Sequence, residues 1–232
     1  MSVMVVGGST GLGRAIVEGL RSDQYAVTGV SRSTPDDLAA PWITADFSEP
    51  ESAARTLSEH CPAQLNTLIG NLGVWEPTAF TEEYDFGTEH DAVTTALIAT
   101  NVSAPILAIR ALMPQLLASG APQIILTGST SALPRSGRPE VAFGASKTAL
   151  NGIADALREG YRSEGLRVTT LQLGYLNTDD GLHVSVEDAA ERGNGTLIPV
   201  HDVVAVIRTL LSLSSASFVR EIVMPAVHDS RF

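Results

Sequence analysis

The chain has 232 residues, 44% of them hydrophobic, near the upper size for one buried core, so a single domain over 1–232 is expected. Its net charge of -11, with fifteen Lys and Arg scattered and never in a run, excludes the basic face that displaces counterions from nucleic acid. Cys61 stands alone, which excludes an intramolecular disulfide and a cysteine-built metal cluster, and His60, His90, His183, His201 and His228 show no ligand spacing. With no basic leader and no uninterrupted apolar run of bilayer length, a soluble cytoplasmic protein with no membrane partner is expected.

In chain order, apolar stretches of strand length alternate with segments of helical period. Strands are predicted at Val3 to Val6, Tyr25 to Val30, Trp42 to Ala45, Leu65 to Ile69, Gln123 to Thr127, Leu166 to Leu171 and Val219 to Met224. Helices are predicted near 12–21, 50–60, 90–118, 143–163 and 202–212. Such alternation marks βαβ units and an α/β fold. The stretches at 65 and 123 are almost continuously apolar, as strands of a parallel sheet covered on both faces must be. A doubly wound parallel sheet of about seven strands follows, with helices on both faces and its ligand crevice at the carboxyl ends of the strands. The connections 73–89 and 174–200 fall on that edge and exceed ordinary loop length, which makes them candidate walls or lids. Leu182, Val184 and Leu197 give the second a partly apolar character.

The first strand runs into VMVVGGSTGLGRAI, where Gly7, Gly11 and Gly13 enclose Ser9, Thr10 and Leu12 ahead of a helix with Leu12, Ala15, Ile16 and Leu20 on one face. Glycines there let the chain turn sharply and approach a pyrophosphate, while the helix N-terminus supplies free N–H groups and a positive dipole end. Further motifs follow the later strands in order: VSRST, TADFS, GNLG, QIILTGSTSA and LQLGYLNTDD, with IATNVSAP and AFGASKTAL inside predicted helices.

Together these segments resemble the short-chain dehydrogenase/reductase family over nearly the whole chain. The spacing Gly-x-x-x-Gly-x-Gly is similar to that family's opening, with Val6 in place of its usual Thr. The resemblance implies a Rossmann-type domain and hydride transfer between a nicotinamide and a small or medium organic carbonyl or alcohol. It puts Ser31 where an acidic residue would bind a ribose 2′-hydroxyl; Arg32, between Ser31 and Ser33, suits a 2′-phosphate, so NADP(H) is expected over NAD(H). It also implies that Asp46 contacts the adenine amine with Phe47 along the base, and that Asn71, Leu72 and Gly73 stand for the family's Asn-Asn-Ala-Gly segment. Asn101 would kink a long helix and support a water-mediated proton path. Ser129 would orient the substrate oxygen by strand register, although the usual spacing to the catalytic Tyr selects Thr130. Lys147 would hold the ribose, and Thr178 with the backbone of Leu176 would meet the carboxamide, Leu173 replacing the family's Pro. A homodimer or homotetramer through the two long helices is implied, while the tail PAVHDSRF lacks the glycine pair often seen near the family's end.

The family's Tyr-x-x-x-Lys is written Phe143-Gly-Ala-Ser-Lys147 here. Four residues of separation put both side chains on one helix face, where an ammonium depresses a neighbouring phenol's pKa and lets it act as acid or base. A phenyl ring can do neither. Three accounts are open: an engineered Tyr-to-Phe exchange; a native Phe with a substrate that does not demand that acid, or with another proton source; or a cofactor binder without redox turnover, such as a cyclase, isomerase, sensor or structural subunit. Tyr175 and Tyr84 are the candidate substitute acids, though packing is the more ordinary role of each. Ser146, adjacent to Lys147, points elsewhere on the helix and leaves no serine nucleophile for it.

Overall fold

A computed structural model of the chain describes residues 1–229; Ser230, Arg231 and Phe232, the end of the PAVHDSRF tail, lie outside them. The strands are β1 (Ser2–Val6), β2 (Ala26–Ser31), β3 (Trp42–Thr44), β4 (Thr67–Gly70), β5 (Gln123–Thr127), β6 (Arg167–Leu173), β7 (Leu176–Asn177), β8 (Ile198–Pro199) and β9 (Glu221–Met224). Seven of them form a parallel sheet in the order β3-β2-β1-β4-β5-β6-β9, and β7 pairs with β8 apart from it. The chain therefore winds outward from β1 in one direction and then, from β4, in the other, which opens a crevice at the carboxyl ends where the two halves part.

Alternation along β1 divides the core. Met4 and Val6 point to one layer with Leu57, Leu112, Leu116 and Ala154; Val3 and Val5 point to the other with Ile16, Leu20, Val203 and Ile207. The first layer is covered by α2 (Pro50–His60), α4 (Ala104–Ala118) and α5 (Val141–Gly160), while α3 (Asp91–Ile98) packs Leu97 against Ala142 and Phe143 at the start of α5. The second is covered by α1 (Gly11–Ser22) and, after the short α6 (Val186–Arg192), by α7 (Val200–Ser212). Cys61 packs partly buried on the first layer as a small hydrophobe, and burial pushes its thiol up to about 11.

The expected long helix forms with one refinement, and two other expectations need correction. α3 and α4 are joined by a π-helical turn, Ala99–Ser103, into one rod over Asp91–Ala118, close to the expected 90–118, whose most apolar 18-residue stretch has a mean hydropathy of 1.7, long and apolar enough by composition to cross a membrane. Polar Thr94, Thr95, Thr100 and Asn101 broke the apolar run in the sequence, and in the fold Ala104, Ala108, Leu112 and Leu116 lay the rod on the sheet. The connection 174–200 is not bare loop: it holds β7, α6 and β8, all too short to give a periodic signal. Leu182, Val184 and Leu197 do not line the cleft; Leu182 instead packs on the layer beside α1 and α7.

Candidate active site

A cleft of about 960 Å³ lies along the carboxyl ends of the strands, from the β2–β3 side across the switch point to β6. One end is made largely of main chain. Gly7 has φ +77°, its N–H donates to Val30 O at 2.8 Å, and a Cβ placed on it would stand 2.3 Å from the main-chain oxygen of Asn71. A Cβ on Gly13 would stand 1.9 Å from Gly7 O, so α1 seats against the turn only because Gly13 lacks a side chain, and the turn passes Asn71 only because Gly7 does. Gly13 packs behind the cleft; Gly7, Ser9, Thr10, Gly11 and Leu12 line it. Thr10, the residue before α1, makes no side-chain capping bond, and no acidic residue sits in the first turn. The first N–H groups of α1 thus stay open to an anion.

Across from that turn lie Ser31, Arg32 and Ser33. Ser31 is buried and its hydroxyl is committed, donating to Ser33 O at 2.7 Å and accepting from Trp42 Nε1 at 3.0 Å; Arg32 and Ser33 are exposed. Asp46 Oδ1 accepts from the Ser48 N–H and hydroxyl at 3.0 and 2.8 Å, which, helped by the nearby Arg32, hold its carboxyl below the usual range. Phe47 is buried in the core and reaches the cleft wall.

The middle is pinned by long-range polar contacts. Asn71 donates to Gly7 O at 3.4 Å and accepts from Thr127 Oγ1 at 3.1 Å, tying the ends of β1, β4 and β5 together. Leu72 and Gly73 follow it along the cleft. Lys147 Nζ donates to Leu72 O at 3.0 Å and Thr127 O at 3.1 Å, and burial lowers its pKa to about 8. Ser129 and Thr130 both line the cleft, with Ser129 Oγ accepting from Ser131 N at 3.1 Å. Leu176 and Thr178 close the opposite side.

Asn101 does not reach the cleft. It sits in the π turn, where the widened backbone lets one amide take Val74 N–H at 2.9 Å and give to Val74 O at 2.7 Å and Ser146 Oγ at 3.0 Å. Ser146 in turn donates to Phe143 O at 2.7 Å. Asn101 is thereby a clamp between the loop after β4 and the first turns of α5.

The far end is aromatic. Phe143, 6% exposed, meets Phe80 edge to face at 5.1 Å and Trp75 at 6.5 Å, while Tyr175 meets Phe80 at 5.7 Å; all four rings line the cleft. Phe80 has φ +68°, a strained value for a bulky residue, and is held by its N–H bond to Glu140 Oε1 at 3.0 Å. Glu76 Oε1 accepts from the N–H groups of Ala142 and Phe143 at 3.1 and 3.2 Å, a carboxyl at the positive end of α5. Both glutamates are buried, and each has an Oε2 with no hydrogen-bond partner among the described residues. Arg138 donates to the Tyr175 hydroxyl at 2.9 Å, lies over its ring at 4.8 Å, and pairs with Asp229 at 2.8 Å.

Of the predicted site residues, the structure brings all to this cleft except Gly13 and Asn101. Of the two candidate substitute tyrosines, Tyr175 lines it; Tyr84 accepts from Val141 N at 2.9 Å outside it, its pKa raised chiefly by burial. Sequence reasoning missed Trp75, Phe80, Glu76, Arg138 and Glu140. The available signals were VWEP directly after GNLG and GRPE directly before α5, segments that no spacing rule joins, and Phe80 lies in neither.

A family model described as short chain dehydrogenase matches residues 1–186. A tropinone reductase homolog of Arabidopsis thaliana is 27% identical over 219 residues, covering 83% of this chain and 77% of that protein. Among solved structures, serine dehydrogenase from Escherichia coli superposes with a TM-score of 0.76 at 19% identity, covering 97% of each chain. A closed form of serine dehydrogenase complexed with NADP+ gives 0.77 at 19% identity, over 97% of this chain and 94% of that one.

Proposed function

Because this chain belongs to the short chain dehydrogenase family, oxidoreductases that bind nicotinamide cofactors, we propose that it is an NADP(H)-dependent oxidoreductase acting on a small or medium organic substrate. The observation that carries the reading is the meeting, in one cleft, of the open first turn of α1, the exposed Arg32 and buried Lys147. When bound, the nicotinamide supplies or accepts the hydride. The chain's own groups hold and orient: the Gly7 turn and α1 take the diphosphate, and Arg32 with Ser33 takes the 2′-phosphate. Asp46 takes the adenine amine, Lys147 the ribose hydroxyls, and Thr178 with the Leu176 backbone the carboxamide. Ser129 orients the substrate. Position 143 is the proton donor's seat, filled by a ring that has no proton to give.

That ring also favours a second reading, a cofactor binder or cyclase without redox turnover. Titrating the protein with NADPH by fluorescence, then assaying a carbonyl panel with the unaltered protein and Phe143→Tyr, separates the two. A large gain with the hydroxyl supports the oxidoreductase; tight binding with no oxidation in either form supports the binder. The exposed apolar side chains Ile106 on α4 and Val141 on α5, 43% and 48% exposed, favour a dimer or tetramer through those helices. Sedimentation as a monomer would remove that part of the proposal.

A further inference from the structure

Whatever is reduced in this cleft meets an aromatic box where a proton donor was expected, and the box has an unusual electrostatic lining. The carboxyls next to it are Glu76, Glu140 and Asp229; the cations are Arg138 and Lys147. Arg138 is ion-paired with Asp229, both side chains under 5% exposed. Glu76 and Glu140 are 1% and 2% exposed, make no ion pair among the described residues, and each commits one oxygen to a main-chain N–H of the box itself, at Phe143 and Phe80. Lys147 opposes them, its Nζ 5.7 Å from the Phe143 centroid and turned to two carbonyl oxygens. Trp75, 56% exposed, stands at the open side. Four rings lining one pocket, backed by two buried carboxyls that make no ion pair among the described residues, favour an organic cation. Phe80 is held in this box at the cost of a left-handed backbone, strain that a plain apolar wall does not require.

We propose that the substrate is an iminium ion, a C=N⁺ group on an organic ring, seated among Trp75, Phe80, Phe143 and Tyr175. The inference rests on the reductase reading above. With NADPH as reductant, the C–H pair leaves nicotinamide C4 and forms the new C–H bond at the iminium carbon. The C=N π pair withdraws onto nitrogen as a lone pair. The products are a neutral amine and NADP+, and charge balances with no proton transferred. A carbonyl needs a proton at oxygen as it is reduced; an iminium does not, so Phe at 143 deprives this reaction of nothing. Its ring instead lies beside the positive charge that the hydride removes.

The test uses N-methyl dihydroisoquinolinium, whose charge is permanent, against tetralone, a neutral ketone of like shape. By calorimetry without cofactor, the cation binds and Trp75→Ala weakens it about 5-fold, the scale of a cation–π contact at a partly exposed ring, while tetralone binding moves less. With NADPH, the unaltered protein reduces the cation at least ~100-fold faster than tetralone, the lower bound of what a positioned acid contributes. Equal rates on the two, with tetralone reduction lost in Tyr175→Phe, would make Tyr175 the proton donor and overturn the proposal. So would failure of the cation to bind a protein that binds NADPH and, as Phe143→Tyr, reduces tetralone. Collapse of the reductase reading looks different: NADPH fails to bind, or neither substrate oxidises it even in Phe143→Tyr, and the inference then falls with its premise.

Discussion

The two ends of the cleft are built by opposite means. At the α1 end the lining is largely main chain, a glycine turn and an uncapped helix start within a few residues of one another, with Arg32 and Asp46 across from them. At the α5 end the lining is side chain, four rings backed by two buried carboxyls, brought together by bonds between residues 60 to 67 apart in sequence. Main chain looks alike in every protein, so the first end suits an invariant cofactor. The second end, built of side chains, is where the proposed substrate would sit.

The largest expected effect crosses that division. Phe143→Tyr adds a hydroxyl beside Lys147, and carbonyl reduction should rise by roughly 100- to 10,000-fold in kcat/KM, the usual worth of a positioned acid. No rise, with NADPH still bound, would mean that position 143 is not the proton seat. Gly13→Ala strikes the other end: its Cβ would lie 1.9 Å from Gly7 O, an overpacking against backbone that cannot swing away. A loss of about 3 kcal/mol in urea unfolding is expected, together with weaker NADPH binding. An unchanged midpoint would show that the turn is looser than its geometry indicates.

Arg32→Ala should weaken NADPH by about 10- to 100-fold and leave NADH nearly unchanged, since only the former carries the phosphate that a guanidinium grips. Equal losses for both cofactors would make Arg32 a general electrostatic contributor. The smallest effect is a pH dependence. Burial lowers the Lys147 ammonium to about 8, so it is charged below that pH and loses its proton as pH rises through it. Cofactor affinity should therefore fall several-fold between about pH 7 and 9, and this slope should vanish in Lys147→Met. A slope that survives the substitution would belong to another group.

How much was legible follows the same division. The seven-strand parallel sheet, the helices on both faces and the Gly7 to Gly13 turn could be read because strand period, helix period and glycine spacing are local signals. Phe143 could be read as a departure from a pattern of four residues. Trp75, Phe80 and Arg138 could not, because their roles exist only once the loop 73–89 meets α5 and β6. Ser31 shows a subtler limit: its place at the cleft was foreseen, but its hydroxyl turned out to be occupied by Trp42 and Ser33. Asn101 likewise falls at the predicted break in the long helix, yet its amide is spent on Val74 and Ser146.

Titrating the unaltered protein with NADPH and with NADH, following tryptophan fluorescence, tests the account at its root. Saturable binding with NADPH at least about 10-fold the tighter is the predicted result, the worth of one charge-assisted phosphate contact. Absence of binding, or equal affinity for the two, would contradict it.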